Sequence, residues 1–445
     1  MDKSRESGNR LRGVAVRVVT QTVVNVGQRD GEADDEARTL KVMLAELPAL
    51  FSAAPHRMMF FAGATAVIVS MLWWACWLGA SWWGRAFPIA PVPAGWAHAV
   101  LAQYGMLPPF IFGFLLTVFP RWMGQPALQR RHYVPVFIGM FAGYLLAHLG
   151  LLDLKPVLLL GLGMMLMGWL AALLALGGVL LRAAGKDAHA RSCFAALVLG
   201  FVGLLSFAAF VLGAPASLAT FSIKAGSFAL LIPVYFTVCH RMVPFFSANV
   251  VGQGYRVFKP RWSLPLLWVL LLAHLALDMA NQLALLWLVD VPLAALFLAH
   301  WVGWQPWKCL KPGLLVALYI AFFWLFVAFA LYALQSALFF FDQGFHFARA
   351  PVHALTVGFF GSMLVAMVTR VTAGHSGRPL QMGWIPWLTF TMLQGVALAR
   401  MYAEITPESA RWLVIAAFGW LLAFLPWVLR SLWIFLTPRI DGRPG

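Results

Sequence analysis

The chain has 445 residues, of which 62% are hydrophobic and only 11% are charged. A soluble globular domain has about 45–50% apolar and about 25% charged residues, so this composition excludes an ordinary soluble protein and indicates one that is surrounded by lipid. The net charge of +16 by itself would be compatible with a nucleic-acid partner. That partner is excluded because the positive residues alternate with apolar stretches instead of forming one patch.

Twelve apolar stretches are long enough to cross a bilayer, which needs about 20 residues for each helix. They cover roughly residues 58–82, 98–119, 134–152, 157–181, 192–212, 218–239, 264–281, 283–302, 313–341, 352–369, 384–402 and 410–436. The fold class expected is therefore all-α, a polytopic transmembrane bundle of about twelve spans. Residues 1–55 are expected to form a mobile cytoplasmic tail, residues 56–437 the twelve-span domain, and residues 438–445 a short cytoplasmic tail.

The distribution of basic residues predicts the orientation. If the amino terminus is cytoplasmic, 26 of the 32 Lys and Arg residues fall on the cytoplasmic side, five fall on the outer side and Lys224 lies inside a span. Loops on the cytoplasmic side of membrane proteins carry this excess of positive charge. The split also favours an even number of spans, with both termini cytoplasmic.

The stretch from 350 to 380 stands out because polar residues flank one apolar helix. His353 precedes the span, and Arg370, His375 and Arg378 follow it. His353 and Arg370 are seventeen residues apart, about 25 Å along a regular helix. The two ends therefore predict two separate sites. Within the span, a ridge of small residues at every fourth position predicts close helix packing, formed by Ala354, Gly358, Ser362 and Ala366.

Histidine is the strongest ligand type that the chain offers, because its four cysteines form no CxxC pair. Neutral imidazole is a common metal ligand and the usual axial ligand of haem iron. The topology places His98 and His353 toward the outer side, and His240 and His375 toward the cytoplasm. We expect His98 and His353 to be metal ligands, with His240 and His375 as the second choice. A structural role for each of these side chains remains the alternative.

Three arginines near the inner ends of spans, Arg241, Arg370 and Arg378, predict an anion-binding surface. Guanidinium groups bind carboxylates and phosphates with two hydrogen bonds. The alternative is ordinary anchoring by lipid headgroups. Because Pro244 interrupts helical hydrogen bonding, the sixth span is expected to end near His240 and Arg241.

Lys224 is the one basic residue placed inside a span. Two interpretations stay open. The side chain extends outward to the membrane surface, or it pairs with Asp278 and contributes to a proton path.

Several segments resemble the NnrS family of bacterial membrane proteins. The most specific resemblance lies in the 350–380 stretch, and weaker matches extend it over roughly residues 55 to 436. The matching segments are His353–Gly358, Met367–Arg370, Gly374–Leu380, Arg241–Phe246, Pro55–Arg57, Gly113–Thr117 and Pro120–Gly124.

The resemblance implies a twelve-span protein of the bacterial inner membrane that takes part in the nitric-oxide response and denitrification. It implies haem, of the b type, and copper as associated cofactors, with the arginines holding haem propionates. It does not imply a reaction. The family's outer motif commonly reads Trp-His-Ala-His-Glu-Met; here His98 matches the first histidine, whereas Val100, Leu101 and Ala102 replace the last three residues.

Three functional classes remain. A nitric-oxide-consuming enzyme would need an electron donor in the membrane and a proton route. A sensor or scavenger would need only the haem. A carrier of haem, copper or a small anion would need a central polar site, and the spans show little polarity at mid-membrane.

Overall fold

The computed structural model describes residues 47–183 and 187–441, and these residues form helices and turns without a strand. Twelve long helices carry the fold. In chain order they are α1 Pro55–Trp82, α2 Ala94–Trp122, α3 Arg130–Gly150, α4 Lys155–Arg182, α5 Ala188–Val211, α6 Ala216–Gly254, α7 Ser263–Met279, α8 Trp287–Lys308, α9 Gly313–Phe340, α10 Ala350–His375, α11 Trp384–Tyr402 and α12 Ser409–Leu436. The all-α fold is confirmed.

Ten of these helices are long and apolar enough to cross a membrane, judged by length and composition. The other two, α7 with 17 residues and α11 with 19, coincide with the seventh and eleventh expected spans. A helix of 17 residues is about 25 Å long, slightly less than the ~30 Å hydrocarbon core. Most of the expected tail, residues 1–55, lies outside the described residues, as do residues 442–445.

Helix α6 differs from the prediction at its inner end. Its α-helical part continues through Pro244 to Val251, and a short 3₁₀ turn follows from Gly252, whose φ of 75° suits glycine. The expectation that the helix ends at His240 and Arg241 is therefore wrong. A proline deprives one carbonyl of its partner, but helices packed in a membrane bundle tolerate that loss because their neighbours hold them in place.

The helix contacts repeat with a period of four. In each group of four helices, the first packs against the second and the third against the fourth. The fourth helix also packs against the first helix of the next group, and α12 packs against α1. The twelve helices therefore close into a ring of three similar groups.

The second helix of each group has the same irregularity. A π-helical segment interrupts α2, α6 and α10, at Ala102–Met106, Gly226–Leu231 and Ala354–Gly361. Each of these helices also carries an arginine near its inner end, preceded seventeen residues earlier by a polar residue; the pairs are Tyr104 and Arg121, Lys224 and Arg241, and His353 and Arg370. π segments occur frequently at functional sites. The repeat places four of the candidate residues in helices that share this irregularity.

The inner halves of α2, α6 and α10 line a cavity of about 70 Å³. Its walls are apolar side chains, including Phe114, Met363 and Met367, together with Tyr235 and Cys239. On this measure about 10–15 Å³ is enough to hold one water molecule, so the space suits a small molecule.

The small residues of α10 are buried as expected, but they do not face one neighbour. A side chain at Gly358 would collide with Trp324 of α9, and the Ser362 hydroxyl accepts a hydrogen bond from Gln394 of α11 at 2.9 Å. The Gln394 side-chain oxygen in turn accepts one from the Trp324 indole at 2.7 Å. Gly358 lies inside the π segment and Ser362 directly follows it, so two neighbouring helices hold α10 at this point.

Candidate functional site

The outer ends of α2 and α10 bring His98 and His353 together. The two rings lie close enough to interact electrostatically. The Nδ1–H of His353 donates to the carbonyl oxygen of Arg349 at 2.8 Å. In that tautomer Nε2 keeps its lone pair, which is the form of a histidine that binds a metal.

Trp74 of α1 fixes the orientation of His98. Its ring stacks on the imidazole with centroids 4.5 Å apart and planes 10° apart. The His98 Nδ1 atom is buried and has no hydrogen-bond partner. An unpaired buried ring nitrogen of this kind costs free energy, so it calls for a water or a ligand.

Two further residues join this outer group, His148 of α3 and Arg400 of α11. His148 bonds through Nδ1 to the Tyr144 carbonyl at 3.1 Å, and its Nε2 is buried without a partner. Arg400 pairs with Glu404 and interacts electrostatically with both His98 and His353. The sequence held one signal for Arg400, because it is among only five basic residues on the outer side.

The outer group does not have the ligand set of a closed metal site. Within residues 47–183 and 187–441, no group of three or more His, Cys, Asp or Glu side chains is arranged to hold a metal ion. A structural zinc-type site needs about four ligands, whereas haem iron needs one or two axial imidazoles. Val100 and Leu101, which replace the family's second histidine and its glutamate, are buried in the apolar core.

At the inner end, the His375 ring of α10 lies against the His56 ring of α1, with centroids 4.1 Å apart and planes tilted by 35°. His56 Nδ1 and one terminal nitrogen of Arg378 are buried without a hydrogen-bond partner. Arg57 is also buried, and its guanidinium donates to the carbonyl oxygens of Phe435 and Thr437. His56 and Arg57 were not among the expected site residues, although they stand in a segment that carries the family resemblance.

His240 belongs to a different group. Its Nδ1 lies 3.0 Å from Nε2 of His189 in α5, and its ring centroid lies 5.5 Å from that of His300 in α8. The ring contacts thus assign His240 and His375 to different groups, although the topology places both at the inner end.

The three arginines expected to bind an anion differ in the contacts that their guanidinium groups make. Arg241 forms an ion pair of 2.7 Å with Asp187 and lies over the Trp122 ring. Arg370 lies over the Phe246 ring, 3.7 Å from its centroid. One guanidinium nitrogen of Arg378 is buried without a hydrogen-bond partner, and Arg378 interacts electrostatically with Arg57, the neighbour of His56 in sequence.

Asp187 begins α5 and connects that helix to α6. Burial alone would raise the pKa of its carboxyl, but the Ala190 N–H and the Arg241 guanidinium outweigh that effect and hold the pKa below its ordinary value. The ion pair therefore persists at neutral pH and fastens the inner ends of the two helices.

Lys224 forms the pair that one interpretation expected. Its Nζ donates to Oδ1 and to the backbone oxygen of Asp278, both at 2.9 Å. The two side chains are 26% and 17% exposed, so the pair lies at the border between the bundle and its outer surface.

A comparison with protein-family models matches residues 50–439 to the model described as NnrS protein. No protein of curated function is significantly similar in sequence.

Proposed function

Because the chain belongs to the NnrS family, we propose that it is a haem-binding protein of the bacterial inner membrane that binds nitric oxide during the nitrosative-stress response. The helices make it a multi-pass membrane protein. Haem of the b type is the proposed cofactor. Copper is proposed as a second metal, on the family resemblance alone.

The observation that carries the proposal is the outer pair, His98 and His353. The two histidines come from separate helices, share one end of the bundle, and each has a ring nitrogen available for a metal. The bound haem would supply an iron that coordinates nitric oxide. In the chain itself, Trp74 orients His98, and Arg349 orients His353.

Arg400 supplies positive charge beside both histidines, although Glu404 pairs with it. A guanidinium in this position favours an anionic group at the outer site, and the propionates of a haem are such groups. At the inner end, His375 and Arg378 form the second candidate site, while Arg241 and Arg370 hold the inner ends of the helices.

The cavity between the inner halves of α2, α6 and α10 supports a small neutral ligand. Its apolar walls suit nitric oxide, because an uncharged diatomic molecule loses little hydration on entering them. The same walls disfavour the alternative function, a carrier of haem, copper or a small anion, because such a cargo needs a polar or larger path.

Whether nitric oxide is consumed depends on electrons from a donor in the membrane and on protons. Lys224 and Asp278 are the proposed start of a proton path from the outer surface. Nitric-oxide consumption by the purified protein with a reductant separates an enzyme from a scavenger. Flux into proteoliposomes without added haem would instead favour the carrier.

The test is an absorption spectrum with metal analysis of the protein expressed under haem-replete and copper-replete conditions. We expect about one haem or more per chain in the wild type, with the spectrum changing on addition of nitric oxide. The His353→Ala variant should lose or alter that spectrum, and the His346→Ala variant, which changes a histidine in the outer loop, should keep it. A wild-type protein without haem would contradict the proposal.

A further inference from the structure

A second pair of ionisable side chains lies deeper in the bundle than Lys224 and Asp278. His274 of α7 and Asp290 of α8 meet with Nδ1 and Oδ1 2.6 Å apart, and their side chains are 1% and 0% exposed. The other ring nitrogen, Nε2 of His274, and the other carboxyl oxygen, Oδ2 of Asp290, are both buried without a hydrogen-bond partner. Burying two polar atoms without hydrogen-bond partners costs free energy. The pair is therefore a candidate functional site.

The pair is surrounded by helices that contribute ionisable groups. Asp278 of α7 and Tyr332 of α9 lie nearby, and the two aspartates interact electrostatically with each other and with Tyr332. Lys224 of α6 pairs with Asp278. The Tyr332 ring meets the His274 ring edge-on, with centroids 5.5 Å apart.

Two successive turns of α6 and α7 lie between the outer surface and the pair formed by His274 and Asp290. Lys224 bonds to Asp278 on the outer turn. One turn further in, Phe228 packs on His274 with ring centroids 4.0 Å apart. Since residues four apart lie on one face of a helix, these two contacts lie one above the other.

Charge balance indicates that a proton is the ligand of the pair formed by His274 and Asp290. Lys224 compensates Asp278, so the deeper pair must be close to neutral by itself, because an unpaired charge in apolar surroundings is costly. With the His274 Nδ1–H directed at the Asp290 carboxylate, the pair carries one negative charge. A proton added at Nε2 forms an N–H bond and gives an imidazolium beside a carboxylate, which is neutral overall.

We propose that His274 and Asp290 together bind one exchangeable proton, and that Lys224 and Asp278 connect this proton-binding site to the outer surface. On release, the Nε2–H bond breaks and the proton passes outward to Asp278. The site uses only side chains of the chain and does not depend on the proposed haem or nitric-oxide function.

Infrared difference spectra between acidic and alkaline pH test the shared proton, using the full-length protein in detergent. The imidazole bands of His274 and the carboxyl bands of Asp290 should change together, at one midpoint. Asp290→Asn and His274→Gln should each remove or displace both sets of bands, whereas His300→Gln, at a buried histidine bonded to Ser263, should leave both in place. Asp290→Glu keeps a carboxyl and should still titrate with His274. If either pair member titrates unchanged after loss of the other, the proposal is wrong.

The rate at which these bands exchange in D₂O tests the route. Removing the outer acid with Asp278→Asn should slow the exchange by roughly tenfold or more, since a positioned acid or base speeds proton transfer by about 10²–10⁴. Glu408→Gln is the control because Glu408 belongs to an exposed outer pair with Arg411. Equal exchange rates in wild type and Asp278→Asn would exclude this route.

Discussion

The imidazole rings of His56 and His375 lie 4.1 Å apart, centroid to centroid, and join the first helix of the ring to the tenth. The segment after α12 completes this corner, because the Arg439 guanidinium donates to the carbonyl oxygen of His375 and the Ile440 N–H to that of Ser376. The beginning and end of the described chain therefore meet at the loop that carries the most specific family motif.

Arg57 should be important for stability at this corner. Its buried guanidinium donates to the carbonyl oxygens of Phe435 and Thr437 at 3.2 and 2.9 Å. Hydrogen bonds that involve a charged group contribute about 1.5–3 kcal/mol, so Arg57→Gln should lower the free energy of unfolding by roughly that amount. Arg411→Gln, at an exposed ion pair, should cost less than about 1 kcal/mol. Thermal unfolding in detergent measures both, and equal losses would contradict the assignment.

Two glycines of α4 provide a matched test of helix packing. A Cβ on Gly161 would lie 2.4 Å from the backbone nitrogen of Ala147 in α3, whereas one on Gly163 would meet nothing within 4 Å. Overpacking costs about 1–3 kcal/mol, and alanine favours a helix over glycine by about 1 kcal/mol. Gly161→Ala should therefore destabilise the protein and Gly163→Ala should leave it unchanged or stabilise it. Destabilisation by both would show that the α3–α4 contact is not this close.

The pair formed by Lys224 and Asp278 should show coupling in a double-mutant cycle. Because both side chains are only partly exposed, Lys224→Met should cost roughly 1–2 kcal/mol by leaving the aspartate unpaired. Adding Asp278→Leu should recover part of that loss. Additive effects of the two substitutions would indicate that Lys224 extends to the membrane surface independently.

Stability at the inner end should depend on pH through Asp187. Its pKa is held below the ordinary value of 3.8, so the carboxylate stabilises the folded state above that pH and loses this effect as the pH falls through the lower, folded-state pKa. Asp187→Asn should therefore be less stable than wild type by about 1 kcal/mol at neutral pH, and the difference should disappear on acidification. Asp153→Asn, at an exposed turn, is the control. A difference that persists in acid would assign the effect to packing.

Hydropathy was enough to predict the helices, because lipid requires long apolar segments. Hydropathy could not predict the four-helix period, because its main signs are π segments and helix contacts, and the one shared residue pattern is an arginine seventeen positions after a polar residue. The rule that proline ends a helix failed at Pro244 because neighbouring helices hold α6 in place.

The site was predicted in part. His98 and His353 could be placed at one end from topology alone, and so could Lys224 and Asp278. His56, His148 and Asp290 were missed because only packing reveals that a particular polar atom is buried and unpaired. The grouping of His240 with His189 depends on which faces of α5 and α6 meet, and apolar helices of nearly uniform hydrophobicity do not encode those faces.

Imidazole rescue of glycine variants tests the central proposal most directly, namely that His98 and His353 would hold the haem. His98→Gly and His353→Gly should each lose the wild-type absorption spectrum, and added imidazole should restore it by occupying the space left by the ring. His375→Gly should keep the wild-type spectrum without imidazole. If both outer variants keep the wild-type spectrum, or if only His375→Gly loses it, the outer histidines are not the haem ligands.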